Sequence, residues 1–179
     1  MKILLIGNKQ NIDKFDINLD DYDLVARVNK LSNFDNTKGK CDILWCECNS
    51  HFIYCYDTNL YNTKDYINYI KDNLKLVVAP MPHYNNLPKI FGDNYNFDTL
   101  KIDNNYEYIE DTTMCTSTIR LAFVLLKLYP NCQLNIVCFD KDRLNCNSSQ
   151  YIHSYHTPQR DQKMIDLLIN KYNVNFISY

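Results

Sequence analysis

The chain has 179 residues, of which 46% are hydrophobic and 22% charged, with a formal net charge of −2. That length predicts one domain with a sizeable core, and the composition excludes a disordered chain. With no run of Lys and Arg and no stretch of 18 apolar residues, the sequence offers no footprint for nucleic acid or an anionic lipid surface and nothing to span a bilayer.

Taken in chain order, the pattern alternates strands with helices. Lys2–Gly7 is a short apolar run closed by Gly7-Asn8, the punctuation that follows a buried strand. Tyr22–Val28 and Cys41–Cys46 are two further runs. Asp57–Asn73 carries Leu60, Tyr61, Ile67 and Ile70 at roughly helical spacing and leads into a strand over Leu74–Ala79, stopped by Pro80-Met81-Pro82. Tyr84–Asp111 is polar and rich in Asn and Asp, and it predicts loops with one short helix.

Cys115–Tyr129 is the clearest helix. Thr116, Ser117 and Thr118 are candidate N-caps, and Ile119, Ala122, Phe123 and Leu126 form one apolar face. Gln133–Phe139 predicts a strand and Asp140–Tyr155 a polar loop. Pro158 is well placed for the first turn of a helix over Pro158–Tyr172, and Val174–Ile177 closes the pattern as a last strand. Strands separated by helices imply right-handed crossovers and a Rossmann-like α/β domain, with a mostly parallel, twisted sheet flanked by helices over residues 1–179.

The 24 asparagines are dispersed, which fits codon usage better than a prion-like tract. Eight cysteines invite a disulfide reading. However, the apolar run after Met1-Lys2 is too short for the core of a signal peptide. A cytoplasmic protein with reduced thiols is the expectation.

In open parallel sheets, ligands sit beyond the C-terminal strand ends, so the residues there are the candidates. Asn8 and Asn29 end the first two strands, and a side-chain amide offers both a donor and an acceptor to a base or ribose. The same residues also suit turn positions, because Asn tolerates the left-handed conformation.

The motifs occur together and in order. Gly7-Asn8, Asp23-Leu24-Val25-Ala26-Arg27-Val28-Asn29 and Gly39-Lys40-Cys41-Asp42 resemble the donor-binding first half of sialyltransferases, in both the animal sialyl-motif family and the small bacterial type. Thr116-Ser117-Thr118-Ile119 before an apolar helix, then Leu134–Asp140, look like that family's short motif. Tyr151-Ile152-His153-Ser154-Tyr155-His156 leads into a helix carrying Asp161, similar to the final motif with its His and, five residues on, an acidic residue. Lys171-Tyr172-Asn173-Val174 also fits the bacterial type. The resemblance covers nearly the whole chain.

What the resemblance implies is an inverting transferase. It would move an acidic sugar from a CMP-linked donor to a hydroxyl of a glycan acceptor, with no cofactor and no requirement for a divalent metal. Asn8, Asn29, Asn49 and Asp140 become donor contacts. Thr116 and Ser117, at a helix N-terminus, offer hydroxyls, backbone N–H groups and a favourable dipole to a carboxylate or phosphate. His156 corresponds to the general base that activates the acceptor hydroxyl, and Asp161 to its helper. The tyrosines that hold the leaving phosphate in bacterial members have no clear match, although Tyr151 and Tyr155 are nearby as substrate-binding candidates, and residues 140–156 form a short lid.

The sequence departs from the family at named places. Thr118 and Cys138 stand where the family has glycine, a residue that lets a ligand approach the backbone closely, so a narrower donor site is expected. Lys9-Gln10 follows Gly-Asn where the family often has Gly or Ser. A direct count from Lys40-Cys41 puts Glu47 where bacterial members have an Asn after the third strand, whereas Asn49 needs a two-residue shift.

Other constellations compete for attention. Cys46-x-Cys48-x-x-His51-x-x-x-Cys55 holds four soft ligands in ten residues, a possible zinc set with non-standard spacing, or simply buried thiols. His153-x-x-His156 lacks a carboxylate at fixed spacing. Asp140 and Asp142 resemble the Asp-x-Asp of metal-dependent transferases that use nucleoside diphosphate sugars, with a solvated acidic turn as the plain alternative, and the match of Phe139-Asp140 to the sialyltransferase strand end counts against the metal-dependent reading. A binding protein that kept the fold and lost the chemistry is the remaining alternative. Trp45 and the 15 tyrosines read as core and amphipathic surface rather than a sugar-stacking platform.

Overall fold

The computed structural model describes residues 1–9, 15–29, 31, 33–37, 39–81, 83–103, 106–107, 109–110, 112, 115–144 and 158–177. Within them lies one sheet of seven strands: β1 (Lys2–Ile6), β2 (Leu24–Val28), β3 (Ile43–Trp45), β4 (Leu76–Pro80), β5 (Asp98–Ile102), β6 (Gln133–Val137) and β7 (Asn175–Phe176). Their order across the sheet is β5-β4-β3-β2-β1-β6-β7, and every neighbouring pair is parallel. This is the Rossmann-like α/β arrangement that the alternation predicted, with a sheet parallel throughout.

The central strands are predominantly apolar because both faces are covered, with Arg27 and Asn135 as buried polar exceptions. Ile3, Leu5, Ala26, Val28 and Trp45 turn to one face, where they meet α4 (Ser117–Leu128) and α5 (Pro158–Asn170). Leu44, Val77 and Ala79 turn to the other, under α1 (Ser50–Asp57), α2 (Thr63–Ile70) and α3 (Leu87–Phe91). On that same side Leu4, Ile6, Val25 and Val137 are roofed by Phe15, Ile17, Leu19 and Tyr22 from the β1–β2 connection.

The apolar face predicted for α4 is too narrow. Leu121, Val124 and Leu125 are as buried as Ile119 and Ala122, because the helix lies against the middle of the sheet and under α5.

Two other differences have clear causes. The helix expected over Asp57–Asn73 is broken by Asn59, Tyr61 and Asn62, which take φ values of 52°, 58° and 55°, so helix resumes only at Thr63. The polar stretch after Tyr84 contains α3 and also β5. As a half-exposed edge strand ending in a buried Ile102, β5 carries polar residues that hid it from an apolar-run criterion.

Register sets the functional edge. Ile6 pairs with both Arg27 and Val137, and Trp45 pairs with both Val28 and Val78, so the strands finish in nearly one row. The sheet order reverses between β1 and β6, and the crevice outside that reversal is where open α/β sheets bind ligands. Among the described residues, no helix is long and apolar enough to cross a membrane.

Candidate functional site

The exits of β1 and β6 form the floor of the crevice. Gly7 N–H continues the ladder to Val137 O at 2.9 Å, and Lys9 N–H donates to Cys138 O at 2.9 Å. The crossing is so close that a Cβ on Gly7 would sit 2.5 Å from the Cys138 carbonyl oxygen. Glycine is therefore required at position 7 by backbone proximity. Above this floor Lys9 Nζ pairs with Asp140 Oδ1 at 2.5 Å, joining the two sides of the switch point with opposite charges.

Asn33, from the β2–β3 connection, donates to Gly7 O at 2.7 Å and Lys9 O at 3.2 Å. Its own segment is held by Arg27. That side chain is buried on the second face of the sheet, donating through Nε to Lys40 O at 3.2 Å, through one terminal nitrogen to Thr37 Oγ1 at 2.8 Å and through the other to Thr37 O. The guanidinium also lies over the Phe34 ring, 4.9 Å from its centroid. Burial pushes the Arg27 pKa down from its ordinary value.

A second group closes around the ends of β2 and β3. Asn29 leaves β2 with φ 50°, a left-handed value that Asn accommodates better than most residues. Its Nδ2 donates to Ser117 Oγ at 3.1 Å, and its Oδ1 accepts the Glu47 N–H at 3.2 Å. Ser117 donates its hydroxyl hydrogen to Glu47 Oε1 at 2.8 Å, and the indole N–H of Trp45 reaches the same oxygen at 2.8 Å. Asn29, Ser117 and Glu47 thus form a closed ring of hydrogen bonds at the start of α4. The Arg120 guanidinium lies 4.8 Å from the Trp45 ring centroid.

Ser117 opens a 12-residue helix whose cap residue is Thr116. The Thr116 N–H donates to Asp161 Oδ1 at 3.1 Å, and the Thr116 hydroxyl oxygen is buried with no hydrogen-bond partner among the described residues. Asp161 is fully buried and pairs with the equally buried Arg143, Oδ2 to Nε 3.5 Å. It therefore ties the start of α4 to α5 and to the segment after β6.

The remaining candidates divide as follows. Asn8 Nδ2 donates to Val28 O at 3.0 Å, stapling the β1 exit to the end of β2. Asn49 accepts the Phe52 N–H at 2.8 Å and so caps α1, a helix that the sequence pattern did not reveal. Tyr151, Tyr155, His153, His156 and most of the lid lie outside the described residues.

Cys46 and Cys48 stand 3.1 Å apart through sulfur, while Cys55 faces His51 at 3.7 Å. The four residues thus split into two pairs, and no group of three His, Cys, Asp or Glu side chains converges among the described residues. Desolvation raises the Cys46 pKa well above the ordinary thiol value.

Cys138 corrects an expectation. Its thiol is buried among Leu4, Ile6, Val25 and Val137, and desolvation pushes its pKa up to about 12. The side chain fills core beneath the crevice rather than narrowing it. Thr118 is likewise buried, within α4.

Sequence reasoning passed over three residues that the fold brings into the site. Glu47 was signalled by the direct count along β3, Lys9 stood out only as a departure from small residues, and Asn33 carried no signal in an Asn-rich chain. Compared with family models, curated proteins and solved structures, the chain matches none.

Proposed function

We propose that this chain is a glycosyltransferase of the sialyltransferase type, moving a sugar from a CMP-linked donor to a glycan hydroxyl with inversion at the anomeric carbon. The observation that carries the reading is the Asn29–Ser117 hydrogen bond, which joins the Arg-x-Asn strand end to the Thr-Ser helix start across 88 positions of sequence. Two motifs quoted for the resemblance thus meet at one site, beside a sheet reversal suited to a nucleotide.

On this reading Asn8 and Asn29 contact the nucleotide, and Lys9 supplies a cation beside the phosphate. His156 takes the proton of the acceptor hydroxyl as its oxygen bonds to the anomeric carbon, and the bond from that carbon to the phosphate oxygen breaks with its electron pair leaving on CMP. Asp161 acts as a positioning residue, since its carboxylate holds the Thr116 N–H at the head of α4. The resemblance implies an acidic donor sugar.

Thermal-shift measurements with CTP, CMP, UDP and GDP, each with and without Mn²⁺, test the proposal. Stabilisation by CMP or CTP without metal is expected. A response only to UDP or GDP with Mn²⁺ would transfer the chemistry to Asp140 and Asp142. Silence toward every nucleotide refutes both readings. With CMP bound, His156→Ala should abolish transfer and leave CMP affinity within about twofold; loss of binding would mean that the residue holds the donor rather than the proton.

A further inference from the structure

Cys46 and Cys48 flank Glu47 where the chain leaves β3. Both are fully buried free thiols, and their sulfurs stand 3.1 Å apart. In an extended strand, side chains two residues apart on one face are separated by roughly 6–7 Å, so regular strand geometry does not bring them together. The turn at Cys48 does. With φ 49°, in the left-handed region that disfavours a residue carrying a Cβ, the chain departs from the strand and turns the second sulfur toward the first.

The backbone on either side of the pair is clamped. Cys46 N–H donates to Val78 O at 2.9 Å, and Cys48 O accepts from Asn86 Nδ2 at 3.0 Å. A disulfide bond is about 2.05 Å long, so bonding requires the sulfurs to close by roughly 1 Å from their present 3.1 Å. With both ends held, that movement falls on the peptide units around Glu47. This is the residue whose backbone meets Asn29 and whose carboxylate meets Ser117 and Trp45.

We propose that Cys46 and Cys48 are a redox pair: hydrogen peroxide closes them to a disulfide, and the closure loosens the Glu47 carboxylate from Trp45 and Ser117. One thiolate attacks a peroxide oxygen and the O–O bond breaks, which leaves a sulfenic acid and, after protonation, one water. The second thiol attacks the sulfenic sulfur, the S–O bond breaks as the S–S bond forms, and a second water leaves. In sum, two thiols and one hydrogen peroxide give one disulfide and two waters, and a dithiol reverses the bond by exchange. Burial favours the thiol over the thiolate at Cys46, so reaction waits on local opening of the turn and admits a small oxidant more readily than a bulky one. The proposal does not depend on the nucleotide reading, because the coupling runs through hydrogen bonds within the chain.

The test treats the full chain with hydrogen peroxide, denatures it and labels the remaining thiols with N-ethylmaleimide. Trypsin, cutting after Lys40 and Lys64, releases a peptide that carries Cys41, Cys46, Cys48 and Cys55. Tandem mass spectrometry should find label on Cys41 and Cys55, none on Cys46 or Cys48, and a peptide backbone lighter by two hydrogens. Dithiothreitol before labelling should restore label to all four. Trp45 is the only tryptophan, so its emission reports on this turn; it should change on oxidation and return on reduction. Cys48→Ala should abolish both responses.

Label on all four cysteines after peroxide overturns the proposal. So does a disulfide between any other pair, or a sulfinic acid in place of the bond. Tryptophan emission that stays unchanged while the disulfide forms overturns the coupling to Glu47. The label map of the unaltered chain decides the matter even where Cys48→Ala fails to fold.

Discussion

Replacing Arg27 with Met tests whether one buried cation holds the C-terminal edge of the sheet together. Methionine keeps most of the apolar stem and removes every donor. Three charge-assisted hydrogen bonds are lost, to Lys40 O, Thr37 Oγ1 and Thr37 O. Each is worth about 1.5–3 kcal/mol when the donor is charged. Thr37 Oγ1 keeps its own bond to Asn33 O at 3.1 Å, so the side of the network nearest Asn33 survives in part. Desolvation of the guanidinium is also relieved, which offsets part of the loss. A net destabilisation of about 4 kcal/mol follows, or roughly 8–16 °C in Tm for a chain of this size. The effect should extend to the site, because Asn33 in the tethered segment holds the Gly7 and Lys9 carbonyls. Circular-dichroism melts and urea titrations check the number. A Tm within about 2 °C of the unaltered chain would refute the reasoning, since it would mean the guanidinium contributes nothing net to its loop.

Asp161→Ala should cost about 3–5 kcal/mol in urea unfolding, because it removes a buried carboxylate that pairs with the buried Arg143 and accepts the Thr116 N–H; a loss below about 1 kcal/mol would show that the pair does not tie α4 to α5. Glu110 accepts from Lys171 Nζ at 2.5 Å and Tyr172 OH at 2.9 Å, and these bonds hold its carboxyl below the ordinary value. A depressed folded pKa contributes stability above the unfolded carboxylate range and loses it as pH falls through the folded value, so Glu110→Gln should flatten the acid limb of stability measured from about pH 7 to about pH 3. An unchanged limb would contradict that assignment.

Much of the fold was legible because central parallel strands announce themselves as predominantly apolar runs. Ile3–Ile6, Val25–Val28 and Leu134–Val137 are buried on both faces and leave little room for another interpretation. Elements at the margin were harder. The edge strand β5 reads as polar because half of it faces water, and α1 is built from His, Phe, Ile, Tyr and Cys, which carry no helical preference of their own. What starts α1 is the Asn49 cap, and in a chain with 24 asparagines that signal is lost among its neighbours.

The site was legible in its motifs and illegible in its contacts. Asn29 and Ser117 were singled out separately, but no periodicity indicates that Glu47 completes their ring. That fact depends on β3 ending in register with β2, so that Trp45 lies beside Val28 and the residue two further on faces the start of α4.

The left-handed residue at the end of β6 yields to the same kind of reasoning. Cys138 adopts φ 56°, in the left-handed region that favours glycine, which costs a residue with a side chain about 1–3 kcal/mol. The backbone there serves the crossing of the β1 and β6 exits: the Cys138 carbonyl accepts the Lys9 N–H and lies where a Cβ on Gly7 would have to go. The conformation is thus imposed by the switch point itself, and burial of the thiol against Leu4, Ile6 and Val25 offsets part of the strain. At this crossing the strict need for glycine falls on position 7, where a side chain would strike backbone. Position 138 tolerates one because it points into the core. The Cys138 side chain is thus accommodated in the core beneath the crossing, not in the crevice above it.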